Sequence, residues 1–366
     1  MKFGTMAKAG MAVLKGKTLG VDYPLFVVLS VTSRCQARCH YCQIPERDIA
    51  YMKTEQMFSL VDQIAAMGTQ RLGIWGGEPL LRKDIGDIVS YAHEKGLYTT
   101  LDTNGYLLNK RWDSLKDLDH LIVSLDGDET AHDANREPGS WRKLMKGLEA
   151  VPRGTTLWTI TVVTKHNLNS IDWILDKADE MGFMPTFQLL HHNDVMAAPG
   201  ARDMLPTDAE YRDVLRRLLA AKKAGRKIGT SAACFEHLLN WEDYSKIAQP
   251  GPSKHFNCSA GKFYCNVDSD GTVYPCSLLV GEIPAPNFLE VGFEQAYKSL
   301  KPIPCHSCLA TCFSEYNLIF SLHFGTILEW AAAMGSRKFN GVPLLDRESP
   351  LPVPAACNSM QKVGQA

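Results

Sequence analysis

Residues 24–42 read PLFVVLSVTSRCQARCHYC. The apolar, β-branched opening, residues 24–31, suits a strand buried on both faces, as in a parallel sheet. It runs straight into a loop carrying Cys35, Cys39 and Cys42. In folds built on parallel strands the site lies at the carboxyl ends. A cysteine-rich loop at this point therefore marks the working end of the molecule.

The same unit recurs downstream. After the loop, Thr54 starts a helical pattern through Met57, Leu60, Val61 and Ile64, with Thr54 as the expected N-cap and Gly68 as the stop. Strand-like RLGIW (71–75), LYTTLDT (97–103), HLIVSLD (120–126), TLWTITVVT (156–164) and PTFQLLH (185–191) follow. Helical segments are expected near 84–95, 107–116, 140–150 and 169–181, with a charged helix near 207–224. Strands separated by helix-length segments predict an α/β fold, a parallel sheet with right-handed crossovers. Six such units predict a partial (β/α)6 TIM-like barrel rather than a closed eight-fold one.

Past residue 230 glycine and proline become frequent, as in QPGPSKH (249–255), EIPAPN (282–287) and KPIPC (301–305). Cys258, Cys265, Cys276, Cys305, Cys308 and Cys312 cluster there. This reads as a small cysteine-rich domain held by metal. The expected division is a leader 1–22, a barrel 23–228, an auxiliary domain 229–330 and a tail 331–366. EYNLIFSLHFGTILEW, 315–330, reads as one apolar helix packed against the barrel, with a hydrophobic substrate wall as the other reading.

Composition narrows the function. The 366 residues carry 39 basic and 40 acidic side chains, net −1, so no global charge recruits nucleic acid. No stretch approaches the roughly 18–20 apolar residues of a membrane span. The first twenty residues show no apolar signal core; they fit a frayed leader or a short basic amphipathic helix touching a membrane surface. The chain is therefore expected in the cytoplasm, where eleven cysteines read as metal ligands rather than disulfides. Cys234 fits a buried apolar position, and Cys357 falls in a proline-rich tail.

Three thiolates so close suit a shared metal object. Three-point ligation of a [4Fe-4S] cluster leaves one iron open to an outside ligand. Zinc, with His40 as a fourth ligand, is the plainer alternative. The spacing Cys35-x3-Cys39-x2-Cys42, with Tyr41 before the last cysteine, resembles the radical S-adenosylmethionine (SAM) superfamily. Further segments support that resemblance. Gly76-Gly77-Glu78-Pro79 after the second strand is similar to the family's GGEP segment, implied to bind the methionine amino group. Asn104 lies in a TNG turn. Ser124 and Asp126 lie in SLDG, implied near the ribose and carboxylate of the cofactor, and both should alternate with core Val123 and Leu125. Arg136 is a candidate to neutralise the cofactor carboxylate. Gln188, His191 and His192, at the mouth of the sixth strand, are candidate substrate or catalytic contacts.

Cys258-x12-Gly271-x4-Cys276 resembles the opening of a SPASM domain, the auxiliary-cluster module of peptide-modifying members. DSDGTVYPC (268–276) should form a hairpin turning at Asp270-Gly271. Cys305-x2-Cys308-x3-Cys312 is similar to its closing part, one cysteine short. This implies one auxiliary [4Fe-4S] cluster, with a second doubtful. The expected ligands are Cys258, Cys265, Cys276 and Cys312, leaving Cys305 and Cys308 spare or on the second cluster. A zinc ribbon is the plainer reading.

The resemblance implies an oxidoreductase-like enzyme. It would cleave SAM reductively to a 5′-deoxyadenosyl radical and take hydrogen from a substrate. It also implies an external flavodoxin- or ferredoxin-like reductant. The substrate is expected to be a peptide or protein side chain, or a small biosynthetic precursor. A lipid or other hydrophobic metabolite is the alternative, and a non-catalytic iron–sulfur or zinc scaffold the rival class. About 23 residues precede the first strand, too few for a peptide-recognition domain, which favours a separate recognition protein or a small substrate.

Overall fold

The computed structural model describes residues 13–18, 20, 22–191, 194–249, 251, 253, 256–300 and 303–343. His192 and Cys357 lie outside these residues. So does most of the leader, of which residues 13–18 form a helix, α1, with Val13 buried against Leu25 and Phe26.

Six parallel strands follow in chain order: β1 (Phe26–Ser30), β2 (Arg71–Trp75), β3 (Tyr98–Thr103), β4 (His120–Ser124), β5 (Leu157–Val163) and β6 (Met184–Leu189). The crossovers carry α2 (Thr54–Ala66), α3 (Ile85–Glu94), α4 (Leu108–Arg111), α5 (Glu129–Asn135), α6 (Ser140–Leu148) and α7 (Ile171–Met181), and α8 (Asp208–Lys223) comes after β6. The α/β partial barrel read from the sequence is the observed fold. Alternation along each strand sorts the residues. Leu72, Ile74, Leu101, Leu121 and Val123 pack outward into the helix-covered core, fully buried. Arg71, Trp75, Tyr98, Asp102, Ile122, Ile160 and Val162 face a cavity of about 390 Å³ inside the barrel.

Local departures have local causes. Lys53, not Thr54, caps α2, its N–H donating to the Gln56 side chain at 2.8 Å; Thr54 Oγ1 instead donates to Asp84 at 2.7 Å. The helix expected over 107–116 is α4 followed by a 3-10 turn, Trp112–Leu115. Helix α5 was not expected; Asp128 caps it, its carboxylate accepting from Ala131 N. Another short helix, α9 (Ala232–Leu239), is capped by Ser231.

The C-terminal third joins the barrel sheet directly. Beyond the short β7 (Ala248–Gln249), strand β8 (Tyr264–Val267) pairs parallel with β1, Phe26 opposite Tyr264. β9 (Val273–Tyr274) returns antiparallel, with Gly271 in the turn at φ +93°. The sheet order is β6-β5-β4-β3-β2-β1-β8-β9. Helices α10 (Phe288–Val291) and α11 (Phe293–Lys298) follow, then β10 (Ser307–Cys308), which pairs with β7.

The single helix read over 315–330 is two, α12 (Thr311–Phe320) and α13 (Phe324–Ser336). Leu322 takes a left-handed φ of 63°, and His323 caps the second helix by accepting from Thr326 N. Helix α12 lends Thr311, Cys312, Glu315 and Tyr316 to the cavity, and α13 lends Trp330 and Met334. These helices pack on the barrel and wall its interior at once. Among the described residues no helix is long and apolar enough to cross a membrane.

Candidate active site

The loop after β1 is zipped to the loop after β2 beyond the strand ends. Gly77 N donates to Thr32 O at 2.7 Å, and Glu78 N to Arg34 O at 2.8 Å. A Cβ on Gly76 would sit 2.4 Å from Thr32 O, and one on Gly77 2.3 Å from Arg34 O. Only glycine allows this approach, so the two glycines hold the cysteine loop in place.

Glu78 is fully buried. It accepts from Thr103 Oγ1 at 2.7 Å, Asn104 N at 2.8 Å and Leu80 N at 3.0 Å. Burial pushes its carboxyl up to about 7, against those donors. Its geometry is that of a pin between the second and third loops. Pro79 opens the buried 3-10 turn that follows.

The thiols are held by N–H donors. Asn104 Nδ2 donates to Cys35 Sγ, and Arg136 Nη1 to Cys39 Sγ, each at 3.7 Å. Arg136 is buried, pairs with Asp126 Oδ2 at 2.7 Å and lies over the Tyr41 ring. Asp126 also accepts from Val162 N and donates its own N–H to His132. Ser124 ends β4 half-buried, in phase with the cavity-lining Ile122. Cys42 bridges to Ala197, and Ala198 N donates to Tyr41 O, so the segment after β6 closes over the loop.

Burial, and then the charges of Glu78, Cys39 and Cys42, push the Cys35 thiol up to about 12. Burial pushes Cys42 up to about 11, with Cys39 adding to it. Cys39 is raised by burial against the pull of Arg136. Such thiols ionise only when a strongly cationic partner displaces their protons, which suits iron ligation. Among the described residues no three His, Cys, Asp or Glu side chains close on a single ion position. Ligands that each take a different iron of a cluster need not do so.

Gln188 is buried at the cavity wall; its Oε1 accepts from Thr311 N at 3.0 Å and its Nε2 donates to Leu189 O. It fastens α12 to β6. His191 lines the cavity with Nδ1 3.4 Å from Gln188. Alternation on β2 and β3 also brings in Arg71 and Asp102, which motif reading passed over; their phase with Trp75 was the available signal.

The second group of cysteines lies in the C-terminal third. Burial and then the neighbouring Cys258 and Cys305 raise Cys276. Burial and then Cys258 push Cys305 up to about 11. Cys308 is raised by burial, Cys258 and Cys276. Cys258, Cys276 and Cys308 belong to one packed cluster, with Cys305 near Cys258 and Cys312 near Cys308. Cys265 is not among them. It alternates on β8 with Tyr264 and Asn266, sits beside Val267 in the main core, and is raised by burial alone. Cys312 opens into the barrel cavity near Asp102, where burial pushes it up to about 12. Cys234 is buried in the core, as read from sequence. Arg47, just past the first cysteines, pairs with Asp268 of the hairpin turn, and Met52 N donates to Ser269 O.

The sequence profile of the Radical SAM superfamily matches residues 29–178. The chain is 30% identical over 311 residues to PqqA peptide cyclase of Ruegeria pomeroyi, covering 79% of this chain and 80% of that protein. It is 26% identical to AdoMet-dependent heme synthase of Methanosarcina barkeri, covering 75% and 82%. By structure it is similar to Streptococcus suis SuiB bound to S-adenosylmethionine, with TM-score 0.58, 18% identity, and 81% and 71% of the two chains covered. The chain belongs to the radical SAM superfamily, and it is an enzyme of that class. Membership implies SAM and a [4Fe-4S] cluster.

Proposed function

We propose that this enzyme abstracts hydrogen from a peptide or protein side chain. Cys35, Cys39 and Cys42 would hold the SAM-binding cluster, and Cys258, Cys276, Cys305 and Cys308 one auxiliary [4Fe-4S] cluster. When bound, the first cluster supplies reductive cleavage of SAM to the radical that takes the hydrogen. The chain's own residues hold that chemistry in place. Gly76 and Gly77 fix the cysteine loop, Asn104 and Arg136 donate to two of its sulfurs, and Asp126 keeps Arg136 charged and oriented.

The single observation carrying the peptide reading is the similarity to PqqA peptide cyclase across four-fifths of both chains. An external one-electron reductant of flavodoxin or ferredoxin type belongs to this reading. So does the division at residues 22, 228 and 330, with the hairpin 264–274 fused to the barrel sheet. The test is anaerobic reconstitution, reduction with dithionite in the presence of SAM, and co-incubation with candidate precursor peptides. Release of 5′-deoxyadenosine with a peptide mass change supports it. Cleavage accelerated by small metabolites and by no peptide overturns the peptide reading.

A further inference from the structure

The buried carboxylates beside the cysteine loop are satisfied from within the protein: Glu78 has three donors, and Asp126 has Arg136 and Val162 N. Glu315, on the cavity wall, accepts from Ser231 N at 2.6 Å through one oxygen and leaves the other without a partner. Asp102 differs. It lies half-buried at the carboxyl end of β3 with its side chain in the barrel cavity, where the Arg71 charge favours its carboxylate and the Cys312 thiol stands nearby. Among the described residues none donates a hydrogen bond to it. A carboxylate in an apolar setting needs a donor. The cavity it enters is lined largely by apolar side chains, Trp75, Ile122, Ile160, Val162 and Phe187 among them, with Arg71, Glu315 and Tyr316 as polar members. Thr311 Oγ1, lining the same cavity, is also buried without a partner.

The charge of the missing donor follows from Arg71. Its guanidinium shares the cavity, donating to Tyr316 OH at 2.9 Å and to Thr100 Oγ1 at 3.2 Å. A second cation beside it would meet like-charge repulsion. A neutral donor, a hydroxyl, phenol, indole or amide N–H, meets none.

We propose that Asp102 is the specificity-determining anchor of the barrel cavity, accepting a hydrogen bond from a neutral donor at the tip of an otherwise apolar substrate side chain. This rests on the side-chain-modifying function proposed above and narrows its substrate.

The test is equilibrium binding of small probes to the intact, anaerobically purified protein. p-Cresol should bind about tenfold more tightly than toluene, as one hydrogen bond to a charged acceptor supplies, and more tightly than benzylammonium. Asp102→Leu should erase the cresol preference. Asp102→Asn, which keeps the shape, should reduce it to a few-fold and serves if the leucine variant does not fold. Equal binding of cresol and toluene, survival of the preference in both variants, or tightest binding of benzylammonium would overturn the proposal. Release of 5′-deoxyadenosine is measured in parallel. Lost probe selectivity with intact cleavage sinks the anchor alone, whereas absent cleavage with intact selectivity sinks the enzymatic reading alone.

Discussion

Arg47 Nη2 lies 2.6 Å from Asp268 Oδ2, and both side chains are nearly buried. One residue belongs to the loop that follows Cys35, Cys39 and Cys42. The other belongs to the hairpin turn between two of the C-terminal cysteines. Each cysteine group is therefore positioned partly by the other's surroundings.

Breaking that pair should be costly from either side. Asp268→Asn leaves a guanidinium with little solvent and no counter-charge, a loss of about 3 kcal/mol. Replacing both residues with methionine should recover most of it. Chemical denaturation under anaerobic conditions measures both, and a loss below about 1 kcal/mol for the single change would refute the coupling.

Iron counting separates the cysteines. Cys276→Ala or Cys308→Ala should lower iron per chain by roughly half and leave the SAM-cluster thiols loaded. Cys265→Ala should leave iron unchanged and lower only stability, as a core cavity does. Loss of iron in the Cys265 variant would restore it to the ligand set.

Gly77→Ala tests the fit of the cysteine loop. The added methyl meets backbone at 2.3 Å, so the loop must move. Formation of 5′-deoxyadenosine should fall at least about tenfold, since displacements near 1 Å have larger effects, while far-ultraviolet circular dichroism is unchanged. Wild-type turnover in this variant would show the contact to be dispensable.

Stability should fall as pH rises through the weakly acidic range. Burial raises Glu78 and Glu315 from 4.5 to about 7. Between those values the folded chain holds more protons than the unfolded one, so unfolding becomes easier with rising pH and levels off above about 7. Each carboxyl contributes at most about 1.4 kcal/mol per pH unit. Glu78→Gln should flatten the slope of denaturation midpoint against pH, and an unchanged slope would rule out its protonated burial.

Much of the barrel was legible because its signals are local. RLGIW falls on β2 residue for residue, since a short apolar run between turn residues has few other uses. The closeness of Cys35, Cys39 and Cys42 was legible because all three share one loop. The proposed second group could not be read from spacing, because Cys258, Cys276 and Cys305 come from loops and Cys308 from the end of β10, far apart in sequence. Spacing could not say that Cys265 points to the core side of a strand whose phase is set by pairing with β1. The break at Leu322 was hidden for a similar reason. Apolar residues continue through it, and only the His323 cap marks a new start.

The pairing of β8 with β1 also bears on how the chain matures. The outer edge of β1 has no partner until residues 264–267 emerge, after more than two hundred intervening residues. A nascent or truncated chain ending near residue 228 would present a bare, strongly apolar strand edge, the usual template for aggregation. Expression of the barrel alone should therefore give inclusion bodies, and late docking of this strand should limit the folding rate.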